Sequence, residues 1–139
     1  MTATFHRVVL VVEDDPVLQR SMAKCLEESK FEVLTALDYE SAVRCLQDAR
    51  PNLVCVDLAL PRESGYELCE YIRKQPDLLY TPVLVTSERA FPEDMAHAEE
   101  AGANAFLKKP FPLQKLLKYV LALLDGPHSS RPSVRRLRV

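Results

Sequence analysis

An α/β fold, with a five-stranded parallel sheet covered by helices on both faces, is what this sequence predicts on three observations. Short apolar runs alternate with segments of helical periodicity along the chain. The runs Val8–Val12 and Leu53–Val56 carry no polar interruption, as strands buried on both faces of a parallel sheet require. Acidic, hydroxyl or basic residues follow several of the runs directly, where the strands of such a sheet end at a ligand crevice.

The first strand, Val8–Val12, ends in Glu13-Asp14-Asp15-Pro16. Pro16 opens a helix, and acids favour its positive N-terminal pole, so a helix start accounts for some of these carboxylates. Leu18, Met22, Cys25 and Leu26 then recur at helical spacing, predicting a first helix from about Pro16 to Ser29. Phe31–Ala36 reads as the second strand. Asp38 caps a second helix, about Tyr39–Asp48, whose apolar stripe is Ala42, Val43 and Leu46. After Pro51 come the third strand, Leu53–Asp57, a turn over 58–64, and a third helix from about Gly65 to Gln75 with Leu68, Cys69 and Ile72 inward.

Pro82–Thr86 is the fourth predicted strand, followed by Ser87 and Glu88. Pro92, Glu93 and Asp94 make the first turn of a fourth helix, which Gly102 closes in the left-handed conformation. The fifth strand, Asn104–Leu107, leads into Lys108-Lys109-Pro110. A last helix, about Pro112–Leu124, places Leu113, Leu116, Leu117, Val120, Leu121 and Leu124 on one broad face.

With 139 residues, nearly half apolar, the chain buries one core, expected over residues 1–125. That body carries 14 Lys/Arg against 20 Asp/Glu, a formal charge of −6, which disfavours nucleic-acid binding by the body itself. Residues 126–139 read as a basic, flexible tail or linker with arginines at 131, 135, 136 and 138, able at most to touch nucleic acid weakly. Cys25, Cys45, Cys55 and Cys69 form no C-x-x-C pair and suit small core residues in a reducing compartment. Neither a secretory signal nor a membrane span is legible, so the expected location is cytoplasmic.

The strand ends set the chemistry. Asp14 and Asp15 follow the first strand, Asp57 ends the third, Ser87 follows the fourth and Lys109 the fifth. Carboxylates converging on one crevice disfavour one another's ionisation unless a cation is present. Mg2+ suits an all-oxygen set that also meets phosphate. Asp57 can then act as a nucleophile toward a phosphoryl group, with Lys109 and Ser87 stabilising the phosphoryl oxygens.

From about His6 to Asp125 the chain resembles the receiver domain of two-component response regulators, the CheY-like superfamily. The resemblance rests on Glu13-Asp14-Asp15, Asp57 with Pro61 and Gly65, Ser87 after Pro82, and Lys109-Pro110-Phe111. It implies a flavodoxin-like (βα)5 three-layer sandwich with strand order 2-1-3-4-5. It also implies that Asp57 accepts phosphate from a sensor histidine kinase or histidine phosphotransfer protein, with Mg2+ on Asp15, Asp14, Asp57 and the Ala59 backbone carbonyl. Lys109 would hold a phosphoryl oxygen, and the Lys109–Pro110 bond would be cis. Ser87 and Phe106 would form the switch, Phe106 lacking the hydroxyl of the tyrosine common there. The output face would be the fourth helix, fifth strand and fifth helix, which could also form a homodimer.

On this reading the protein is not an enzyme beyond self-catalysed phosphoryl transfer and autodephosphorylation. Nucleic acid would be reached only through an output domain this chain lacks, or through the tail. Glu88 replaces the usual small residue beside Ser87. Ala59 and Arg89 offer no group to orient an attacking water, which points to a long-lived phosphorylated state. His97 reads as a surface residue, and His6 and His128 fall outside the site. Two alternatives stay open: a receiver-like docking module that is never phosphorylated, and a haloacid-dehalogenase-like Mg2+-dependent phosphatase. The phosphatase usually has a second acid where Ala59 stands. A flavodoxin proper would need a Ser/Thr/Gly-rich phosphate loop in place of Glu13-Asp14-Asp15.

Overall fold

The computed structural model describes residues 7–126. Five parallel strands, β1 (Val8–Val12), β2 (Glu32–Ala36), β3 (Leu53–Asp57), β4 (Val83–Ser87) and β5 (Ala105–Lys108), form one sheet in the order β2-β1-β3-β4-β5. They alternate with α1 (Pro16–Glu28), α2 (Tyr39–Ala49), α3 (Gly65–Lys74), α4 (Pro92–Ala101) and α5 (Leu113–Asp125). The strand order reverses between β1 and β3, which opens a crevice at their carboxyl ends.

Because side chains alternate along a strand, each central strand feeds two cores. Val9 and Val11 face α1 and α5, packing with Met22, Leu26, Leu116 and Val120. Leu10 and Val12 face α2, α3 and α4, packing with Ala42, Leu46, Leu68 and Ile72. All five residues of β3 and of β4 are buried, while the edge strand β2 is half open. At roughly 1.5–3 kcal/mol per fully buried large apolar side chain, these two layers supply most of the drive to fold.

The structure refines three expectations. β4 and β5 each start one residue later than the apolar runs suggest, because Asn104 is committed to Val83. Its amide donates to the Val83 carbonyl (2.8 Å) and its Oδ1 accepts the Val83 amide (2.8 Å). On α5, Leu121 is 42% exposed and Leu123 takes the buried place, since positions 116, 120 and 123 keep closer to one face than 121 does. A 3-10 turn at Pro76–Leu78, unforeseen in the sequence, plugs the core with Leu78. The predicted tail beyond Gly126, and with it His128, lies outside the described residues, as does His6. Cys55 and Cys69 are buried, Cys25 and Cys45 half-buried, and all four are free thiols.

Candidate functional site

Asp57 is the last residue of β3 and 3% exposed. The backbone around it is pinned from both sides. The Leu58 amide donates to the Thr86 carbonyl (3.0 Å), and the Gly65 amide donates to the Leu58 carbonyl (3.0 Å). Gly65 is required here: a Cβ would stand 2.4 Å from the Asp57 carbonyl oxygen and 2.8 Å from the Leu58 Cα. Asp57 Oδ1 accepts the Ala59 amide (3.0 Å), which leaves Oδ2 facing the Lys109 ammonium (3.1 Å).

Lys109 enters through a cis Lys109–Pro110 peptide, and its own amide donates to the Ser87 carbonyl (2.8 Å). Its Nζ also lies 2.8 Å from Glu13 Oε1, so one ammonium bridges the ends of β1 and β3. Glu13, Asp14 and Asp57 bring carboxylate oxygens within 4.8 Å of one another, Glu13 and Asp57 buried and Asp14 exposed.

This geometry corrects the assignment of the acids after β1. Asp15 does not join the cluster; it is the N-cap of α1, its Oδ1 accepting the amides of Val17 (3.0 Å) and Leu18 (3.4 Å). Glu13 takes the inner place, since it continues the direction of β1 and its amide still pairs with the Ala36 carbonyl (3.0 Å). The signal was available: an Asp directly before a proline is a helix cap followed by a favoured first-turn residue. Ala59 contributes an amide to Asp57 and is exposed at the crevice.

Three carboxylates face one ammonium. Burial pushes the Glu13 carboxyl up to about 7, opposed by its hydrogen bond to Lys109 and reinforced by the charge of Asp57. Burial alone would push the Lys109 ammonium down, but the hydrogen bond to Glu13 and the charges of Asp57 and Glu13 outweigh it and raise its pKa. Glu13 is 1% exposed, and Lys109 is better solvated. Glu13 Oε1 is fully buried, and the Lys109 ammonium at 2.8 Å is its partner among the described residues. An all-oxygen donor set with surplus negative charge and an under-satisfied buried oxygen fits a hard divalent cation.

Ser87, at the end of β4, is buried, and its Oγ accepts the Arg89 amide (3.0 Å). Arg89 pairs with Asp94 on α4 (3.4 Å) and lies over the Phe91 ring (5.3 Å). Phe106 points inward from β5, 4% exposed, in the same apolar layer as Ala98 and Ala101 of α4. Glu88 is exposed. His97 is exposed as well, and its ring stacks on Tyr66 of α3 at 3.7 Å.

Comparisons with known proteins show which family and fold the chain shares. The sequence pattern of the response regulator receiver domain matches residues 9–121. Protein PilG of Pseudomonas aeruginosa is 31% identical over 114 residues, covering 82% of this chain and 84% of PilG. The phosphate regulon transcriptional regulatory protein PhoB of Escherichia coli is 30% identical over 85% of this chain and 52% of its own length, so the chain spans about half of that relative. Among solved structures, chemotaxis response regulator CheY4 of Vibrio cholerae superposes with a TM-score of 0.83 at 29% identity, over 86% of this chain and all of CheY4.

Proposed function

This chain belongs to the response regulator receiver family of two-component signalling, and on that premise we propose that Asp57 is a phosphoacceptor served by Mg2+. The observation that carries the reading is the Lys109 ammonium held between Glu13 Oε1 and Asp57 Oδ2, with Asp14 beside them. Glu13, Asp14, Asp57 and the Ala59 carbonyl are the groups that would hold the metal. When bound, Mg2+ screens the carboxylates from one another and draws charge from the phosphoryl oxygens.

The donor is a phosphohistidine on a sensor histidine kinase or a histidine phosphotransfer protein. An Asp57 carboxylate oxygen attacks phosphorus, the O–P bond forms, the P–N bond breaks, and the imidazole nitrogen keeps the electron pair. Lys109 stays beside the phosphoryl oxygens. The Ser87 hydroxyl donates to one of them while its oxygen keeps the Arg89 amide. The Ala59 amide holds the carboxylate's orientation through Oδ1. Most of the catalysis is placement and charge.

Residues 1–125 would act as one receiver unit in the cytoplasm, turning over no substrate beyond this transfer and its reversal by hydrolysis. The output surface is the α4–β5–α5 face, usable by a partner or a second copy. Mixing the chain with Mg2+ and acetyl phosphate and reading intact mass tests the proposal. One phosphoryl adduct is expected on the wild type and none on Asp57→Ala. Absence of any adduct, even with phosphorylated kinase, would leave a docking module, and multiple turnover of phosphate esters would indicate a phosphatase. Because Arg89 is engaged by Asp94 and Phe91, and Ala59 has no polar side chain, the adduct is expected to last minutes or longer; decay within seconds would contradict this.

A further inference from the structure

This inference rests on the metal-site reading above and concerns what aims the carboxylates. Gln19 lies one turn into α1, its backbone amide on the Asp15 carbonyl (2.9 Å). Its side-chain Nε2 donates to two carbonyls, that of Glu13 (3.1 Å) and that of Ala36 at the end of β2 (3.0 Å). The same Ala36 carbonyl accepts the Glu13 amide (3.0 Å). Both peptide groups flanking the Glu13 Cα are therefore tied to one anchor, the first directly and the second through Gln19. With both planes pinned, the backbone angles of Glu13 are set, and with them the direction in which the Glu13 side chain leaves the strand and the place of the Asp14 Cα that follows.

A primary amide suits the task. Its NH2 group carries two donors, matching two carbonyls, and it brings no charge into a site with three carboxylates. We infer that Gln19 is a positioning residue for the metal site: it touches no ligand oxygen but holds the loop so that Glu13 and Asp14 converge on Asp57. A plain structural brace between α1 and β2 would affect stability and leave cation affinity unchanged.

Calorimetric titration of the full chain with Mg2+ separates the two. Gln19→Leu keeps the size and removes both donors, and partners of a metal site beyond its ligands typically change affinity by 10- to 100-fold. The Mg2+ Kd is expected to rise about tenfold, and a rise smaller than about fivefold overturns the inference. Arg73→Met serves as the control for general loosening, because Arg73 makes side-chain bonds to Gly102, Leu78, Leu79, Thr81 and Asn104, away from the crevice. Its Kd should match the wild type, and an equal loss in both variants overturns the inference. If Gln19→Leu does not fold, Gln19→Asn, which keeps the amide but shortens its reach, is judged by the same criterion. A wild-type chain that binds no Mg2+ refutes the metal-site reading and takes this inference with it, whereas normal wild-type binding with unaffected Gln19 variants refutes the inference alone.

Discussion

At the scale of single residues, Glu13 shows how function and stability pull apart. Its carboxyl is pushed up to about 7 by burial, so between about pH 4.5 and 7 the folded chain holds a proton that the unfolded chain has released. Stability of the metal-free chain should therefore fall as pH rises through that window and level off above it. Lys109 slopes the same way at higher pH: its raised pKa gives stability that is present through neutral pH and lost only in the alkaline range. Glu13→Gln should flatten the acid-side slope and stabilise the metal-free chain near pH 8 by roughly 1–3 kcal/mol, while weakening Mg2+ binding. Urea titrations at pH 5 and pH 8 with and without Mg2+ check this, and a wild-type slope retained in Glu13→Gln would refute it. Asp57 stands out in the sequence because it ends an apolar run, and Lys109 because it lies two residues past one, before Pro110. The acid pairing is harder, because three adjacent carboxylates satisfy the same rule; the place of Asp15 before Pro16 is the cue to its capping role, and the backbone shows Glu13 extending β1 and Asp15 capping α1.

At the scale of elements, the site depends on how closely α3 approaches the end of β3. A Cβ on Gly65 would meet the Asp57 carbonyl oxygen at 2.4 Å, the Leu58 Cα at 2.8 Å and Val56 Cγ1 at 2.9 Å, two of them backbone atoms that cannot swing away. Gly65→Ala should cost roughly 1–3 kcal/mol and also slow phosphorylation of Asp57, since the backbone that must shift is the one carrying the acceptor. Denaturant midpoints and adduct formation measured on the same variant check both halves, and full stability with full phosphorylation would show that the contact is relieved freely. Most elements were readable because punctuation and periodicity agree: Asp38 does cap α2, with Ser41 completing the reciprocal bond, and Gly102 does close α4 at φ 111°. The phase of α5 was not readable, since Leu121 and Leu123 look equivalent in a leucine-rich helix. Arg73 was equally opaque. Its guanidinium serves carbonyl groups from several separate segments, which sequence spacing cannot express.

Across the whole molecule, strand order could not be obtained from periodicity, which finds strands without ranking their neighbours; order 2-1-3-4-5 followed from the resemblance and is what the sheet shows. α4 is the one helix of the five that fully buries no side chain larger than alanine. The largest apolar side chains exposed by 2% or less come from the strands and from α1, α2, α3 and α5, whereas α4 buries Ala98 and Ala101. At about 0.8 kcal/mol per buried methylene, a helix whose fully buried side chains are alanines, with Met95 only partly buried against the core, is held less firmly than one docked through Leu68 and Ile72. The same helix is wired to the site, because Ser87 Oγ holds the Arg89 amide and the Arg89 guanidinium holds Asp94. Pulling the Ser87 hydroxyl toward a phosphoryl group would tug on the first turn of α4, with Phe106 packed beneath the helix. If phosphate favours one of two positions of α4, the shift is set by its differential interaction with the two. Amide hydrogen exchange over 95–101 should accordingly run at least about tenfold faster than over 69–74 of α3 in the unphosphorylated chain. On phosphorylation the exchange of α4 and β5 should change while that of α1 stays constant. Equal exchange in α3 and α4, or a response spread evenly over all five helices, would mean that the coupling does not run through this lightly held helix.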